Sequence, residues 1–495
     1  MLPGNHWPRL YPAAQLKSID LIWPEHACTD WLMSQFMHET HAALWLASCW
    51  PAFKDHTLDV IAGGVEAWLI GNETKAGTHH HLNIDTHLAK TLKTADKHIS
   101  DTLPIDWMAQ QLMPALGDEA QPGWYGGIGY SYQPGLNGLK NQLKSSGHWP
   151  SLQLAFASWT LTLDHQQRTA RLVWIDTADG DCQHQQLQAL WHKLSLQGAQ
   201  LACSTLMPVS LKPWQAAMST AQYRQAFARV QQHIDAGDTY QVNLTQGFTA
   251  QFTGDPLQGF IKTKQGNPSP YAAFFRSKFG DVSCHSPELL LHIQDQPYRA
   301  CTKPIKGTTA RCSNTSDDQQ AAQGLQHSVK NRAENTMIVD LLRNDLSKNA
   351  LPGTMQVKAL CALESYTHIH HLVSQIETQL KPKVHPFKVI LDCFPGGSIT
   401  GAPKRRAMEI INALEVTARD IYCGSIGFWD QPQRSIFNIA IRTFLFHCAQ
   451  SQVKIWAGGG LVKDSNVDEE YQECFDKVEK LMAIMAAQTH THTHT

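Results

Sequence analysis

Along the 495-residue chain the clearest periodic patterns lie after residue 210. In Ser219–Ile234, Tyr223, Ala226, Phe227, Val230 and Ile234 recur every three or four residues, the apolar stripe of an amphipathic helix. Ser219 stands before it as an N-cap and Gly237 after it as a stop. The run TYQVNLTQGF that follows reads as a strand. Helical spacing returns in Gln326–Leu346, with Val329, Ala333, Met337, Ile338, Leu341 and Leu342 as the stripe. It returns again in a last helix opened by Ser465, where Tyr471, Cys474, Phe475, Val478 and Met482 face inward. Strand alternation is sharpest in SIFNIAIRTFLF, with Phe437, Ile439, Ile441 and Thr443 on one face and Asn438, Ala440 and Arg442 on the other. Leu152–Asp176 holds two strand-like runs about a polar turn, a hairpin. Up to about residue 210 short apolar runs are broken by Gly and Pro, and the prolines of MPVSLKP (Met207–Pro213) mark a seam. Strands and helices mix throughout with no fixed repeat, so the expected class is a large α+β fold. His79, His80 and His81 read as polar loop, and the terminal THTHTHT as a frayed tail.

Composition narrows the function without choosing one. A hydrophobic share of 42% and a charged share of 17% belong to a globular chain. The net charge is −2 and no basic stripe is present, which argues against nucleic acid. Twelve cysteines are scattered singly, as in a reduced cytosolic protein. The N-terminus lacks a signal-peptide pattern, and no apolar run nears the roughly 20 residues that span a bilayer. The expected location is the cytoplasm, with no membrane contact.

Several polar groups sit where packing alone does not want them. Glu334 borders the buried stripe of its helix, a position equally suited to a surface salt bridge. Glu470, Glu473 and Lys477 share one helical face. That spacing fits a solvated face with an intrahelical pair, and it fits carboxylate ligands for a hard cation. Gly458, Gly459 and Gly460 leave backbone N–H groups open to an anion, or simply make a tight turn. FPGGSITGAPKRRAMEII (Phe394–Ile411) is a Gly-rich loop running into a helix, a place to meet an anion, though without the order of a nucleotide P-loop.

Taken in order, PIKGT (Pro304–Thr308), RAENTMIVDLLRND (Arg332–Asp345), HHLVS (His370–Ser374), FPGGSITGAPKRRAMEII, YCGSIGF (Tyr422–Phe428), AIRT (Ala440–Thr443), GGGLVKDS (Gly458–Ser465) and EEYQECFDK resemble the chorismate-utilising enzymes. That family includes anthranilate, aminodeoxychorismate, isochorismate and salicylate synthases. The resemblance is dense from about residue 220 to 485 and looser before, where ALWLAS (Ala43–Ser48) is clearest. It implies large antiparallel sheets packed together with helices outside. It also implies an N-terminal region over 1–210, a chorismate-binding catalytic region over 215–488 and a polar tail over 489–495.

The resemblance also assigns roles. A Mg²⁺ ion is implied, with Glu334 and Glu473 at its ligand positions and Glu470 beside them. Gly307, Thr308, Tyr422, Arg442 and the Gly458–Gly460 amides match positions that hold the two substrate carboxylates, for which Arg offers a bidentate fork. Glu288, in SPELLL, matches the general acid for the departing C4 hydroxyl, and His371 a histidine facing the ring. Where isochorismate and salicylate synthases carry a lysine base, this chain has Gln241, which points to amination. Lys306 in PIKGT matches the aminodeoxychorismate synthases, in which that lysine is a nucleophile, whereas anthranilate synthases read PIAGT. The implied reaction is amination of chorismate at C4 to 4-amino-4-deoxychorismate, a precursor of 4-aminobenzoate and folate. No G-x-C-x-G nucleophile turn is present, so ammonia is expected from a separate glutaminase subunit. NPSPYAAFF (Asn267–Phe275) resembles the anthranilate-synthase form, and Ser48, Pro270 and Tyr271 are candidates to line a tryptophan pocket. Two alternatives stay open: an anthranilate synthase component, and a silent subunit that binds chorismate or tryptophan.

Overall fold

A computed structural model describes residues 15–24, 28–47, 58–74, 77–84, 97–99, 123–132, 149–176, 181–197, 206–294, 297–366, 369–382, 384–429 and 435–486. Within them, 23 strands form one hydrogen-bonded network. Every strand pairing among the described residues is antiparallel. Helices lie outside the sheets, the α+β arrangement expected from the sequence. The Leu152–Asp164 and Thr169–Asp176 strands make the expected hairpin, closing at Asp164 opposite Thr169. Strands from both sides of the proline-flanked stretch 207–213 pair with one another. Leu44–Ala47 joins Tyr271–Ser277, and Trp124–Ile128 joins Ser425–Trp429.

Among the described residues, three large hydrophobic clusters fill the space between layers. One collects Trp124, Tyr125, Phe275, Phe387, Phe437 and Trp456. A second seats the helices Thr29–Thr40 and Asp181–Gln197 on the N-terminal strands, with Phe36 edge-on to both Trp159 and Trp191 at 5.8 Å. The third packs the helices Thr220–Asp235, Lys404–Leu414 and Val467–Asp476 on the strand pair Gln241–Thr253 and Gln452–Leu461. The first of these helices starts as its sequence dictates. Ser219 Oγ accepts from the Gln222 amide and the Gln222 side chain accepts from the Ser219 amide, a reciprocal capping box. Gly237, at φ +77°, follows the last turn.

Elsewhere the fold departs from the periodic reading. The stretch Gln326–Leu346 is two helices, Thr315–His327 and Val329–Ser347, broken at extended Ser328, whose hydroxyl caps the second through the Asn331 amide. Val329 therefore sits at a helix start and is 82% exposed, outside the buried stripe. SIFNIAIRTFLF is also interrupted: Ser435–Asn438 and Thr443–His447 are strands, and between them Arg442 takes φ +52°. Asn438 and Ala440 are buried along with Phe437 and Ile439, so alternation there does not separate core from solvent. The C-terminal helix divides into Val467–Asp476 and Glu479–Ala486, and Asn466 caps it rather than Ser465. Gly458–Gly460 form no turn; they lie inside the strand Gln452–Leu461, opposite Asn243–Thr245. His79, His80 and His81 lie in the strand Gly77–Ile84 rather than a loop. Ser48 and the THTHTHT tail fall outside the described residues.

Candidate functional site

A cavity of about 730 Å³ opens where these irregularities cluster. Its floor is the strand pair carrying Asn243 and Gly458–Gly460. One wall is the strand Ile305–Ala310, paired with Ile369–Gln379; the others are the helices Val329–Ser347 and Val467–Asp476. Glu288, Lys306, Gly307, Thr308, Glu334, His371, Tyr422, Arg442, Gly458, Gly460, Glu470 and Glu473, separated by up to 185 residues, all line it. Gln241 and Gly459 stand directly behind the lining. A Cβ at Gly460 would lie 2.2 Å from Gln241 Nε2, so glycine is what lets the two strands close over the amide. Gln241 is fully buried, and neither polar atom of its side-chain amide has a hydrogen-bond partner among the described residues. Pro270 lies on the cavity wall and Tyr271 does not line it; Ser48 is outside the described residues.

Lys306 is mostly enclosed, its side chain 12% exposed, with Nζ donating to the Ser398 carbonyl at 3.3 Å and standing 4.0 Å from Glu334 Oε2. Burial pulls its amine below the ordinary lysine value against the attraction of Glu334 and Glu288. Glu288 sits in the same enclosure, 4% exposed, and burial pushes its carboxyl up to about 7 against the pull of Lys306. Gly307 holds φ +95° where a Cβ would press on Asn331 and Leu325, so this bend after the lysine requires glycine. The Thr308 hydroxyl lies 2.9 Å from His371 Nδ1, and burial with the Arg442 guanidinium lowers that imidazole to about 4. His371 is therefore neutral at pH 7.

Arg442 faces the cavity from its left-handed backbone turn and forms no ion pair among the described residues. A guanidinium left without a counter-ion in a concave, partly apolar site is a receptor for an anionic group. Across from it, Glu470 and Glu473 converge on Gly459, where a Cβ would lie 2.6 Å from Glu470 Oε2 and 3.5 Å from Glu473 Oε1. The Ser465 hydroxyl donates to Glu470 Oε1 at 2.7 Å, while burial raises the Glu470 carboxyl. Glu473 pairs with Lys477 at 2.5 Å, the intrahelical contact its spacing allows, and Lys330 reaches Glu470 at 3.7 Å. Among the described residues no three His, Cys, Asp or Glu side chains are close enough to cage a metal alone.

The Gly-rich segment Phe394–Ile411 meets the cavity through Ser398 and Ile399, not through the start of the helix Lys404–Leu414. That helix start is occupied by Lys404, held by Asp345 at 2.6 Å. Asn243 and Ser398 are among the lining residues not singled out in the sequence. Asn243 lies two residues after Gln241 on the same strand face, so strand alternation could have found it. The Ser398 carbonyl that receives Lys306 carries no signal in the sequence, since only folding brings residues 92 apart together.

The aminodeoxychorismate synthase component 1 of Salmonella typhimurium is 40% identical over 334 residues, 67% of this chain and 70% of that protein. The Escherichia coli protein of the same name is 37% identical over 362 residues, 73% and 76% of the two chains. The crystal structure of anthranilate synthase component I from Streptococcus pneumoniae superposes with a TM-score of 0.70 at 22% identity, covering 86% of this chain and 92% of that one, which establishes the shared fold. Residues 70–483 match the chorismate binding enzyme family over most of the chain, and the protein belongs to that family.

Proposed function

We propose that this cavity binds chorismate and aminates it at C4, releasing 4-amino-4-deoxychorismate, and that the chain works in the cytoplasm. The observation that carries the reading is Lys306: a buried amine on the cavity wall, beside a buried carboxyl that is half-protonated near neutral pH. An electrostatic contact to a substrate carboxylate would not need a lysine whose charge burial disfavours; a nucleophile does. Arg442 and the floor glycines receive the substrate carboxylates. Neutral Lys306 adds to C2 as the C4 hydroxyl departs, taking the proton of Glu288 and leaving as water. Ammonia then forms the C–N bond at C4 and the lysine amine departs from C2. Gln241, a neutral amide, leaves ammonia as the nucleophile because it cannot deprotonate water.

Mg²⁺ suits the oxygen donors at the Gly459 end, where Glu470 and Glu473 converge, and Glu334 lines the same cavity. When bound it would supply a positive anchor for the ring carboxylate, completing a coordination shell that the protein's own carboxylates leave open. Glu473→Gln is expected to abolish Mg²⁺-dependent turnover and to lose the thermal stabilisation that Mg²⁺ gives the wild type. The metal-free melting temperature should barely move, because the Glu473 side chain is 45% exposed. Near-native activity at low Mg²⁺ would remove Glu473 from the ligand set.

The direct test is to incubate the purified chain with chorismate, Mg²⁺ and ammonium and identify the product by mass and fluorescence. A 2-amino product or anthranilate would move the chain to the other aminating branch, which the NPSPY segment resembles. The expected nitrogen source is free ammonia, so at any one pH the rate should follow the concentration of NH₃. Glutamine should serve only after a separate glutaminase subunit is added, and glutamine-dependent turnover by the homogeneous chain would contradict this. Tryptophan binding near Pro270 belongs to the same proposal and is read by equilibrium dialysis.

A further inference from the structure

Beneath the cavity floor lies a buried ion pair that the reaction scheme leaves unused. The side chains of Arg419 and Glu415 are 1% and 5% exposed. Arg419 Nε donates to Glu415 Oε2 at 2.9 Å and Nη2 to Oε1 at 2.6 Å. The guanidinium also donates to backbone: Nη1 to the Ile399 carbonyl at 2.9 Å and Nη2 to the Asn243 carbonyl at 2.6 Å. Glu415 Oε1 in turn accepts from the Thr245 amide and hydroxyl at 2.9 and 2.8 Å. The Tyr130 ring lies 4.6 Å from the guanidinium carbon.

One pair thus ties together the floor strand Gln241–Thr253, the 3₁₀ turn Gly397–Ile399, the end of the helix Lys404–Leu414 and the segment at Tyr130. Burying two charges is a poor way to gain stability, and apolar replacements of such pairs are often neutral. What the pair does supply is direction, because a planar fork donates along fixed vectors. Those vectors end on the cavity lining. Ile399 and Asn243 are wall residues, and Ser398, the neighbour of Ile399, offers the carbonyl that receives Lys306 Nζ. The Arg419 carbonyl also accepts from the amide of Tyr422, another wall residue.

We propose that Glu415 and Arg419 are positioning residues for the reacting lysine: by anchoring the Ile399 and Asn243 carbonyls they fix the Ser398 carbonyl against which Lys306 is aimed. Neither touches substrate. This rests on the reading of Lys306 as the nucleophile. Without the guanidinium the Ile399 carbonyl loses its donor, and the segment is held to the floor strand beyond the turn, by the Asn243 amide on the Thr400 carbonyl at 2.8 Å and the pairing of Gly401 and Ala402 with Val242 and Gln241.

The test is Arg419→Lys, which keeps the charge and loses the fork. Displacing a reacting group by about 1 Å can cost on the order of 10²-fold, so kcat should fall by that order while KM for chorismate changes little. The second readout is acylation of Lys306 by acetic anhydride across pH in the full chain, followed by peptide mass spectrometry. A displaced labelling midpoint with a melting temperature close to wild type supports the proposal. An unchanged midpoint overturns it, whatever the activity, because a merely structural loss would not retune one lysine. Should Arg419→Lys not fold, Glu415→Gln removes the acceptor facing Nε and is read the same way. The product made by the wild type tests the function separately, since the labelling midpoint does not depend on which carbon is aminated.

Discussion

Lys306→Ala is expected to lower the rate of 4-amino-4-deoxychorismate formation on the order of 10³-fold or more, the scale on which losing an activated nucleophile acts. The substitution takes away an amine that the fold keeps buried and aimed at the cavity. It also brings the segment to the PIAGT form, so a trace of product aminated at C2 is expected once direct attack there is the remaining path. Lys306→Arg should fail as thoroughly, because a guanidinium stays protonated and cannot attack. These variants separate a nucleophile from a simple cation. Were the role only to neutralise a carboxylate, arginine would rescue kcat and alanine would mainly raise KM. Measuring kcat, KM and product identity for the three forms decides between the two, and rescue by arginine would falsify the nucleophile.

Glu288→Gln should cost about 10²–10⁴-fold in kcat, the range that a positioned general acid supplies. Glutamine fills nearly the same volume and cannot give up a proton, so binding of chorismate should change far less than turnover. The same carboxyl sets a pH limit. Its folded value of about 7 is raised by burial, so the protonated, proton-donating form prevails below that pH and is lost above it. Lys306 titrates in the opposite sense for function: burial lowers its value, and only the neutral amine above it attacks. The active form holds one proton on the pair, on Glu288, so kcat/KM for chorismate should be bell-shaped with the two limbs belonging to the coupled pair. The profile must be taken at constant free NH₃, because ammonium deprotonates over the alkaline side. In Glu288→Gln the alkaline limb near pH 7 should vanish; its persistence there would assign the limb to another group.

Local chemistry was legible wherever a residue's neighbours in sequence decide its conformation. Ser219 with Gln222 dictates a capping box, and the box is present. The 152–176 hairpin follows from two apolar runs about a polar turn. Legibility failed where buried surfaces lie on both faces of an element. Asn438 and Ala440 are as buried as Phe437 and Ile439, so alternation in 435–446 marked no solvent face, and the turn at Arg442 left no trace in the pattern. The same holds at Val329, where a Ser328 break invisible to helical spacing moves an apolar residue to the surface.

By itself the sequence determined the α+β class and the family, because ordered motifs such as PIKGT and EEYQECFDK fix which side chains are available. Tertiary structure alone decided how those side chains are arranged. Spacing could not tell whether Glu470 and Glu473 form a solvated face or a cation site; their convergence on Gly459 depends on a strand packed beneath the helix. Nor could it show that Gly458–Gly460 form no turn: they are strand residues whose missing side chains admit Gln241 and the Glu470 and Glu473 carboxylates. The lowered amine value of Lys306 and the raised carboxyl value of Glu288 come from desolvation, which depends on how completely other parts of the chain enclose them. Enclosure is a property of residues distant in sequence, and no local pattern encodes it.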